Sequence, residues 1–197
     1  MNTILIGLAG FFIIHLCDLA AIKNIPAVKP ISWILGSGLL IRSLFMISLL
    51  PVRFSLPIWA TWLGWIMLIG STFLLVYSLF INLPFHKTYI ATGVGEKLIN
   101  TGLYALVRHP GAPCFILLML SLILVARSTL MLIAAPIFVL ADIALVIIQD
   151  KFLFGQMFPD YERYRHETPM LVPNRKSLRA FIYSLRQPSA SEQIAGG

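Results

Sequence analysis

Five apolar runs dominate this chain and define the solvent in which it can fold. They cover residues 2–22, 31–50, 57–81, 112–126 and 128–148. A helix needs about 20 apolar residues to cross roughly 30 Å of hydrocarbon, and four of the runs reach that length. The run at 112–126 reaches it only if its helix begins near Pro110, where proline is tolerated at a first helical position. The pattern predicts an all-α integral-membrane bundle of about five transmembrane helices.

Composition leads to the same class of protein. Of the 197 residues, 58% are hydrophobic and 12% are charged, so the apolar surface exceeds what one small soluble core can bury. The first run lacks the basic leader and cleavage site of a removable signal peptide, so we expect it to be retained. Cys17 and Cys114 lie in apolar runs without CxxC spacing, so we predict neither a disulfide framework nor a metal site.

The net charge of +7 is distributed unevenly and predicts an orientation. Lys and Arg favour cytoplasmic loops, and with five spans one face carries only Arg53 and Arg127. The sequence therefore predicts an outside amino terminus, with the 95–110 loop and the carboxyl terminus in the cytoplasm. Contact with anionic lipid accounts for the basic residues, and we expect no nucleic-acid partner. The predicted cytoplasmic residues are Lys23, Lys29, Lys87, Lys97, Arg108, Lys151, Arg163, Arg165, Arg175, Lys176, Arg179 and Arg186.

This pattern predicts that the chain is divided into three parts. Residues 1–81 hold the first three transmembrane helices. Residues 82–173 hold a polar loop, a helical hairpin that turns at Arg127 and Ser128, and a small cytoplasmic cap. In the cap, apolar and aromatic residues at helical spacing are interrupted by Pro159, which predicts two short helices. Residues 174–197 have too little apolar content for a core, so we predict a disordered basic tail.

The 95–110 loop is polar and glycine-punctuated, and it lies between long apolar runs. Gly95 and Gly102 allow the backbone to approach a ligand closely. Basic side chains can face a carboxylate, and aromatic or imidazole rings can stack or hydrogen-bond. The side chains able to do so are Lys97, Arg108, Tyr104 and His109.

Structural roles remain open for the same residues. Lys97 and Arg108 also fit an orientation signal, and Tyr104 also fits an anchor at the membrane interface. His109 precedes Pro110, a position where histidine is often structural.

Together with Asp150 beyond the last apolar run, this loop resembles the isoprenylcysteine carboxyl methyltransferase and phospholipid methyltransferase superfamily. Members carry a pattern close to Gly-x-x-Leu-Val-x-x-Gly-x-Tyr-x-x-x-Arg-His-Pro, then a helical hairpin, then an acidic pair. The resemblance covers roughly residues 81–173. The matching residues are Gly95, Leu98, Gly102, Tyr104, Arg108, His109 and Pro110, with Ile99 in place of Val.

The resemblance implies an integral-membrane methyltransferase that uses S-adenosylmethionine from the cytoplasm and a lipid-like or isoprenyl-type acceptor from the bilayer. Arg108, His109 and Asp150 would be the catalytic residues, with Asp150 holding the cofactor ribose or ammonium. Tyr161, Arg163 and Tyr164 would close the cap over the loop. The cofactor-binding residues would be Lys97, Leu98, Ile99, Gly102, Tyr104, His109, Pro110 and Asp150.

The chain departs from the family pattern in three places. Gly111 and Ala112 stand where a bulky residue and Tyr usually follow Arg-His-Pro. Gln149 and Asp150 replace the usual Glu-Glu pair. The 57–81 run has no Arg or Lys, whereas carboxyl-methylating members place an Arg there. Carboxyl methylation of a prenylcysteine-like substrate, an amine, a hydroxyl and a different lipid headgroup all stay open as acceptors.

Two rival functions also stay open. One is an NADPH-dependent membrane reductase of the sterol-reductase type, which is similar in its carboxyl-terminal half. The other is a non-catalytic membrane accessory protein on the same scaffold, because fold does not fix function.

Ionisable residues inside the apolar runs are costly and usually pair or face a cavity. We predict a buried structural pair between Arg42 and either Asp18 or Asp142. His15 and Asp18 lie three residues apart on one helical face, either as a polar patch or as an acceptor contact.

Overall fold

The computed structural model describes residues 2–83, 86–94 and 98–186, and the regular elements of this part of the chain are all helical. Pi-helical turns cover Tyr77–Ile81, His86–Ile90 and Gln149–Leu153. The α-helices, in chain order, are α1 (Asn2–Ile22), α2 (Val28–Ser48), α3 (Ile58–Val76), α4 (Leu103–Leu106), α5 (Gly111–Ala126), α6 (Thr129–Ile148), α7 (Phe154–Met157), α8 (Tyr161–Glu167) and α9 (Arg175–Arg186).

Four helices are long and apolar enough to cross a membrane. They are α1, α2, α3 with its continuation to Ile81, and α6 with its continuation to Met157. The predicted membrane-spanning helical bundle is therefore confirmed for four helices. Helix α5 has 16 residues and is shorter than the others, so the fifth span stays a prediction.

Helices α3 and α5 run between the same two ends of the bundle. At one end, Arg53 before α3 forms an antiparallel bridge with Ser128 after α5. At the other end, the Leu103 backbone N–H donates to Asn82 Oδ1 over 2.8 Å, which joins the residue after the α3 continuation to the first residue of α4, the short helix before α5. We call the first of these the Arg53 end of the bundle and the second the Asp150 end. The predicted hairpin of α5 and α6 turns at Arg127, whose φ of 54° reverses the chain.

The core lies between α1, α2, α5 and α6. Phe11 of α1 packs edge-on against Phe115 of α5, with ring centroids 5.4 Å apart, and also contacts Phe138 of α6. Met119 and Met131 fill the space around these rings and are almost fully buried. The outward faces of the long helices carry exposed Trp, Ile, Leu and Phe side chains, as a lipid-facing surface requires.

Helices α1 and α2 approach closely through two glycines. A Cβ added at Gly36 would lie 2.6 Å from the Gly10 carbonyl oxygen, and one at Gly10 would lie 2.7 Å from the Gly36 carbonyl oxygen. Helices in lipid associate mainly through close van der Waals packing, and small residues permit it. The two glycines therefore fix how the first two helices cross.

We predict that Gly36→Val destabilises the protein by about 1–3 kcal/mol, because the new side chain meets backbone that cannot move away. The matched control is Gly38→Val in the same helix, where a Cβ meets nothing within 4 Å. Denaturant unfolding in mixed micelles measures both variants. Equal losses of stability for the two variants would contradict this account of the α1–α2 contact.

The predicted disordered tail is wrong for Arg175–Arg186, which forms helix α9. Leu178, Ile182 and Leu185 recur at spacings of four and three, which places them on one side of a helix. Total apolar content is low in this segment, but its spacing supports an amphipathic helix. The rest of the predicted tail, residues 187–197, lies outside the described part of the chain.

Candidate functional site

A pi-helical turn places Asp150 in the protein interior. Helix α6 continues beyond Ile148 as the turn Gln149–Leu153, and Asp150 is only 4% exposed. Pi-helical turns change which side of a helix a residue faces, and they are frequent at functional sites. Here the turn directs a carboxylate from the end of a membrane helix into the segment that precedes α5.

Four hydrogen bonds surround the Asp150 carboxylate. Arg108 contributes two, from Nε to Oδ1 over 2.8 Å and from Nη2 to Oδ2 over 3.0 Å. The Tyr161 hydroxyl donates to Oδ1 over 2.6 Å, and His109 Nε2 lies 3.2 Å from the same oxygen. We call these four residues the Asp150 cluster. Each contact uses the carboxylate as an acceptor, so the cluster favours ionised Asp150.

Arg108 also ties the cluster to the carboxyl-terminal segment. Its Nη1 donates to the Arg165 carbonyl over 2.8 Å and to the Thr168 carbonyl over 2.5 Å. The backbone repeats the connection, because Arg108 N–H donates to the Pro169 carbonyl over 2.9 Å. Burial lowers the pKa of Arg108, but the contact with Asp150 outweighs this effect and raises it. The guanidinium therefore stays charged, and four of its five N–H groups donate to protein acceptors.

One side-chain nitrogen of His109 makes no hydrogen bond to a described residue. The residue is 7% exposed, and its ring stacks on Phe154 with centroids 5.3 Å apart and planes 16° from parallel. Because Nε2 faces an ionised carboxylate, it carries the proton that it shares with Asp150. Among the described residues, Nδ1 makes no hydrogen bond, and in the neutral ring it presents a lone pair.

Two tyrosines of α8 hold the chain against this site. Burial and the neighbouring Asp150 carboxylate raise the pKa of Tyr161, so its phenol stays protonated and donates. Burial likewise raises the pKa of Tyr164, whose hydroxyl donates to the Tyr104 carbonyl over 2.5 Å. Burial also raises the pKa of the Tyr104 phenol. Helix α8 therefore contacts both the start and the end of the 102–110 segment.

Gly102 lies in a second contact region, close to α9. Its φ of 57° is a left-handed conformation, and a Cβ at this position would collide with Asn82 Oδ1. The Gly102 N–H donates to Ser184 Oγ over 3.1 Å, which joins the loop to α9. The loop requires glycine here because the backbone approaches Asn82 too closely for any side chain.

The other predicted site residues that the structure describes do not belong to the Asp150 cluster. Leu98 and Ile99 are half-buried in irregular backbone, and no hydrogen bond of the described residues joins them to the Asp150 cluster. Pro110 is buried directly before α5. Lys97, like Gly95, lies outside the described residues. Arg163 does not close the site, because its side chain is 81% exposed and pairs with Glu167 on the surface of α8.

A second polar cluster lies beside the first. Gln149 Nε2 donates to Asp18 Oδ2 over 2.7 Å and lies 3.1 Å from His15 Nδ1, while His15 lies 3.2 Å from Asp18. His15 and Asp18 thus contact each other, which is consistent with a polar patch and with an acceptor contact alike. Gln149 and Asp150 point into two neighbouring clusters.

The predicted buried pair of Arg42 with Asp18 or Asp142 is wrong. Arg42 is exposed on α2, and the ion pairs of the described residues do not include it. A long basic side chain can extend along the helix to reach polar surroundings without a partner. Asp142 Oδ2 is buried without a hydrogen bond from any described group.

Sequence reasoning missed several residues of the site. Phe154 lies four positions after Asp150, so their spacing on a helical face carried a signal. Asn82 is a polar residue directly after an apolar run, which is a weaker signal. Arg108 binds Arg165 and Thr168 through their backbone carbonyls, and side-chain identity does not reveal such contacts. The Arg165 side chain also approaches the site, with its Nε 3.6 Å from Asp150 Oδ2.

Comparisons with protein-family models, with curated proteins and with solved structures give no match to this chain.

We predict that Asp150→Ala destabilises the protein by about 3–5 kcal/mol, because it leaves the buried Arg108 guanidinium without its counter-charge. Tyr161→Phe removes one hydrogen bond to a charged group, and we expect a loss of about 1.5–3 kcal/mol. Glu167→Ala is the control, since it breaks an exposed pair that contributes about 0–1 kcal/mol. Unfolding in mixed micelles measures all three variants. A loss for Asp150→Ala no larger than that for Glu167→Ala would overturn the structural role of the cluster.

Proposed function

We propose that this protein is an integral-membrane, S-adenosylmethionine-dependent methyltransferase that acts on a lipid-like acceptor. The observation that carries the proposal is the convergence of Arg108, His109 and Asp150 in one buried cluster at the end of membrane helices. These residues belong to the motif by which the sequence resembles membrane methyltransferases. Residues 42 positions apart along the chain thereby meet at a boundary between apolar helices and polar segments.

The groups around the site are of the kinds that this cofactor requires. His109 Nδ1 has no hydrogen-bond partner among the described residues, and the Phe154 ring adds a flat apolar surface beside the imidazole. The backbone at residues 98–100 forms no regular element, which leaves its peptide groups available to a ligand. Gly102 keeps the loop free of a side chain next to Asn82. We therefore infer that residues 98–109 hold the cofactor.

The hydrogen bonds suggest different tasks for the three predicted catalytic residues. The polar atoms of Asp150 and Arg108 hydrogen-bond to each other and to residues of α8, so we assign both residues a positioning role. His109 is oriented by Asp150 at Nε2 and by Phe154 at its face, which leaves Nδ1 to contact a ligand. S-adenosylmethionine supplies an electrophilic methyl group when it is bound. Fixing the ring in one orientation lowers the entropic cost of bringing reacting groups together.

The membrane setting favours a lipid-like acceptor. The Asp150 cluster lies at the ends of α5 and α6, so a molecule in the bilayer reaches this level of the protein by lateral diffusion. Burial of the cluster also limits the access of water, which strengthens electrostatic interactions there. The second polar cluster, which contains His15, Asp18 and Gln149, lies beside the Asp150 cluster. Its Gln149 side chain links the end of α6 to α1.

We further propose that α5 is a fifth span, with the amino terminus outside and the Asp150 end in the cytoplasm. Helix α5 runs alongside α3 between the two ends of the bundle, which supports a full crossing. The excess of Lys and Arg in segments at the Asp150 end supports the orientation. This arrangement presents the site to cytoplasmic S-adenosylmethionine.

Calorimetric titration of the detergent-purified protein with S-adenosylmethionine and S-adenosylhomocysteine tests the cofactor assignment. We expect a dissociation constant on the order of micromolar for both. His109→Ala should weaken binding at least about tenfold, which corresponds to roughly 1.4 kcal/mol. Arg163→Ala is the matched control, because this exposed side chain lies on α8 away from the cluster, and its binding should be unchanged.

Two results would contradict the proposal. If the folded protein binds neither compound, the cofactor class is wrong, and binding of NADPH in the same assay would favour a reductase. If His109→Ala binds as tightly as the unaltered protein, the site is misassigned. Thermal unfolding of each variant shows whether a loss of binding comes from a loss of fold.

A further inference from the structure

Helix α9 carries an apolar stripe that no described residue covers. Leu178, Ile182 and Leu185 have exposed fractions of 49%, 44% and 60% although they lie on one side of the helix. The helix contacts the rest of the protein through a different side, which holds Ser177, Phe181 and Ser184. An exposed apolar stripe on an ordered helix indicates a surface that another apolar phase covers.

Basic residues lie along the edge of this stripe that is farther from the protein contact. At about 100° per residue, Arg175, Arg179 and Arg186 fall within roughly 40° of one another and about 80° from the centre of the stripe. All three are exposed. Around the helix, the protein contact, the apolar stripe and the basic edge therefore follow in that order. A helix lying flat on a bilayer needs this order, with the apolar stripe toward the acyl chains and cations at headgroup level.

The position of α9 in the fold agrees with a membrane surface. Its Ser184 accepts a hydrogen bond from Gly102, and Gly102 lies against Asn82 at the exit of the α3 span. Helix α4, which α9 packs against, leads after a few residues into α5. Helix α9 therefore lies where the long apolar helices end.

We propose that α9 binds the membrane surface through anionic lipid, with its apolar stripe in the acyl-chain boundary and its three arginines on anionic headgroups. Positive side chains complement negative headgroups, and each such residue contributes about a fivefold increase in binding near an anionic surface. Three arginines together favour the docked helix by roughly a hundredfold. The proposal does not depend on methyl transfer, because it rests on the surface of α9 alone.

Fluorescence of a single label on the full-length protein tests this proposal. Cys17→Ala and Cys114→Ala remove the native thiols, and Ile182→Cys receives an environment-sensitive fluorophore. The labelled protein is reconstituted in vesicles of phosphatidylcholine with about 30% phosphatidylglycerol, and quenchers are attached to lipid acyl chains. We expect blue-shifted emission that the lipid quenchers reduce. The matched control is a label at Tyr183→Cys, which lies on the far side of α9 and should remain in water.

Charge variants test the choice of lipid. Reversing Arg175, Arg179 and Arg186 to Glu should bring the quenching of the Ile182 label down to that of the Tyr183 label. The single change Arg179→Gln should give a smaller loss without threatening the fold. Arg163→Glu on α8 is the control for a single charge reversal outside α9, and it should leave the quenching unchanged. In vesicles of phosphatidylcholine alone, the quenching should also fall.

Three outcomes would overturn the proposal. If the Ile182 label is quenched no more than the Tyr183 label in anionic vesicles, the stripe does not enter the bilayer. If the Ile182 label is blue-shifted but lipid quenchers do not reach it, a protein surface such as a second copy covers the stripe. If quenching is the same with and without phosphatidylglycerol, the arginines do not select anionic lipid.

Discussion

The buried contact between Asp150 and Arg108 connects the parts of this protein that the chain keeps apart. Asp150 comes from the end of α6, Arg108 from the segment before α5, and Arg108 in turn binds carbonyls at residues 165 and 168. A charged pair in an apolar protein is costly unless its polar atoms find partners, and here each charge is surrounded by hydrogen bonds. The order of the site therefore depends on this pair.

Much of the fold could be predicted because membrane helices have a simple sequence signal. The run at 2–22 coincides with α1, and the hairpin turn at Arg127 and Ser128 follows from a polar break between two apolar runs. Helix α9 was missed because its apolar residues are few and only their spacing reveals them. The expected Arg42 pair failed because apolar runs indicate depth in the membrane, not which side of a helix faces the protein.

The candidate site was predictable in its membership more than in its arrangement. Arg108 and His109 are adjacent in the polar loop and Asp150 follows the last apolar run, so the sequence predicts all three as site residues. Their mutual contact depends on a pi-helical turn that residue identities do not indicate. We propose a positioning role for Asp150 because its oxygens accept from protein donors, and a ligand contact for His109 because its Nδ1 makes no hydrogen bond to a described residue. Contacts to backbone carbonyls, such as those of Arg108, are decided by the path of the chain.

Transfer of a labelled methyl group tests the central claim most directly. The purified protein in vesicles of total membrane lipid is incubated with S-adenosylmethionine carrying a radioactive methyl group, and the lipid fraction is extracted and counted. We predict that the label enters the lipid fraction, that His109→Ala abolishes this transfer, and that Arg163→Ala does not. Binding of the cofactor without label in any lipid would contradict a lipid methyltransferase and indicate a scaffold that lacks turnover toward lipids.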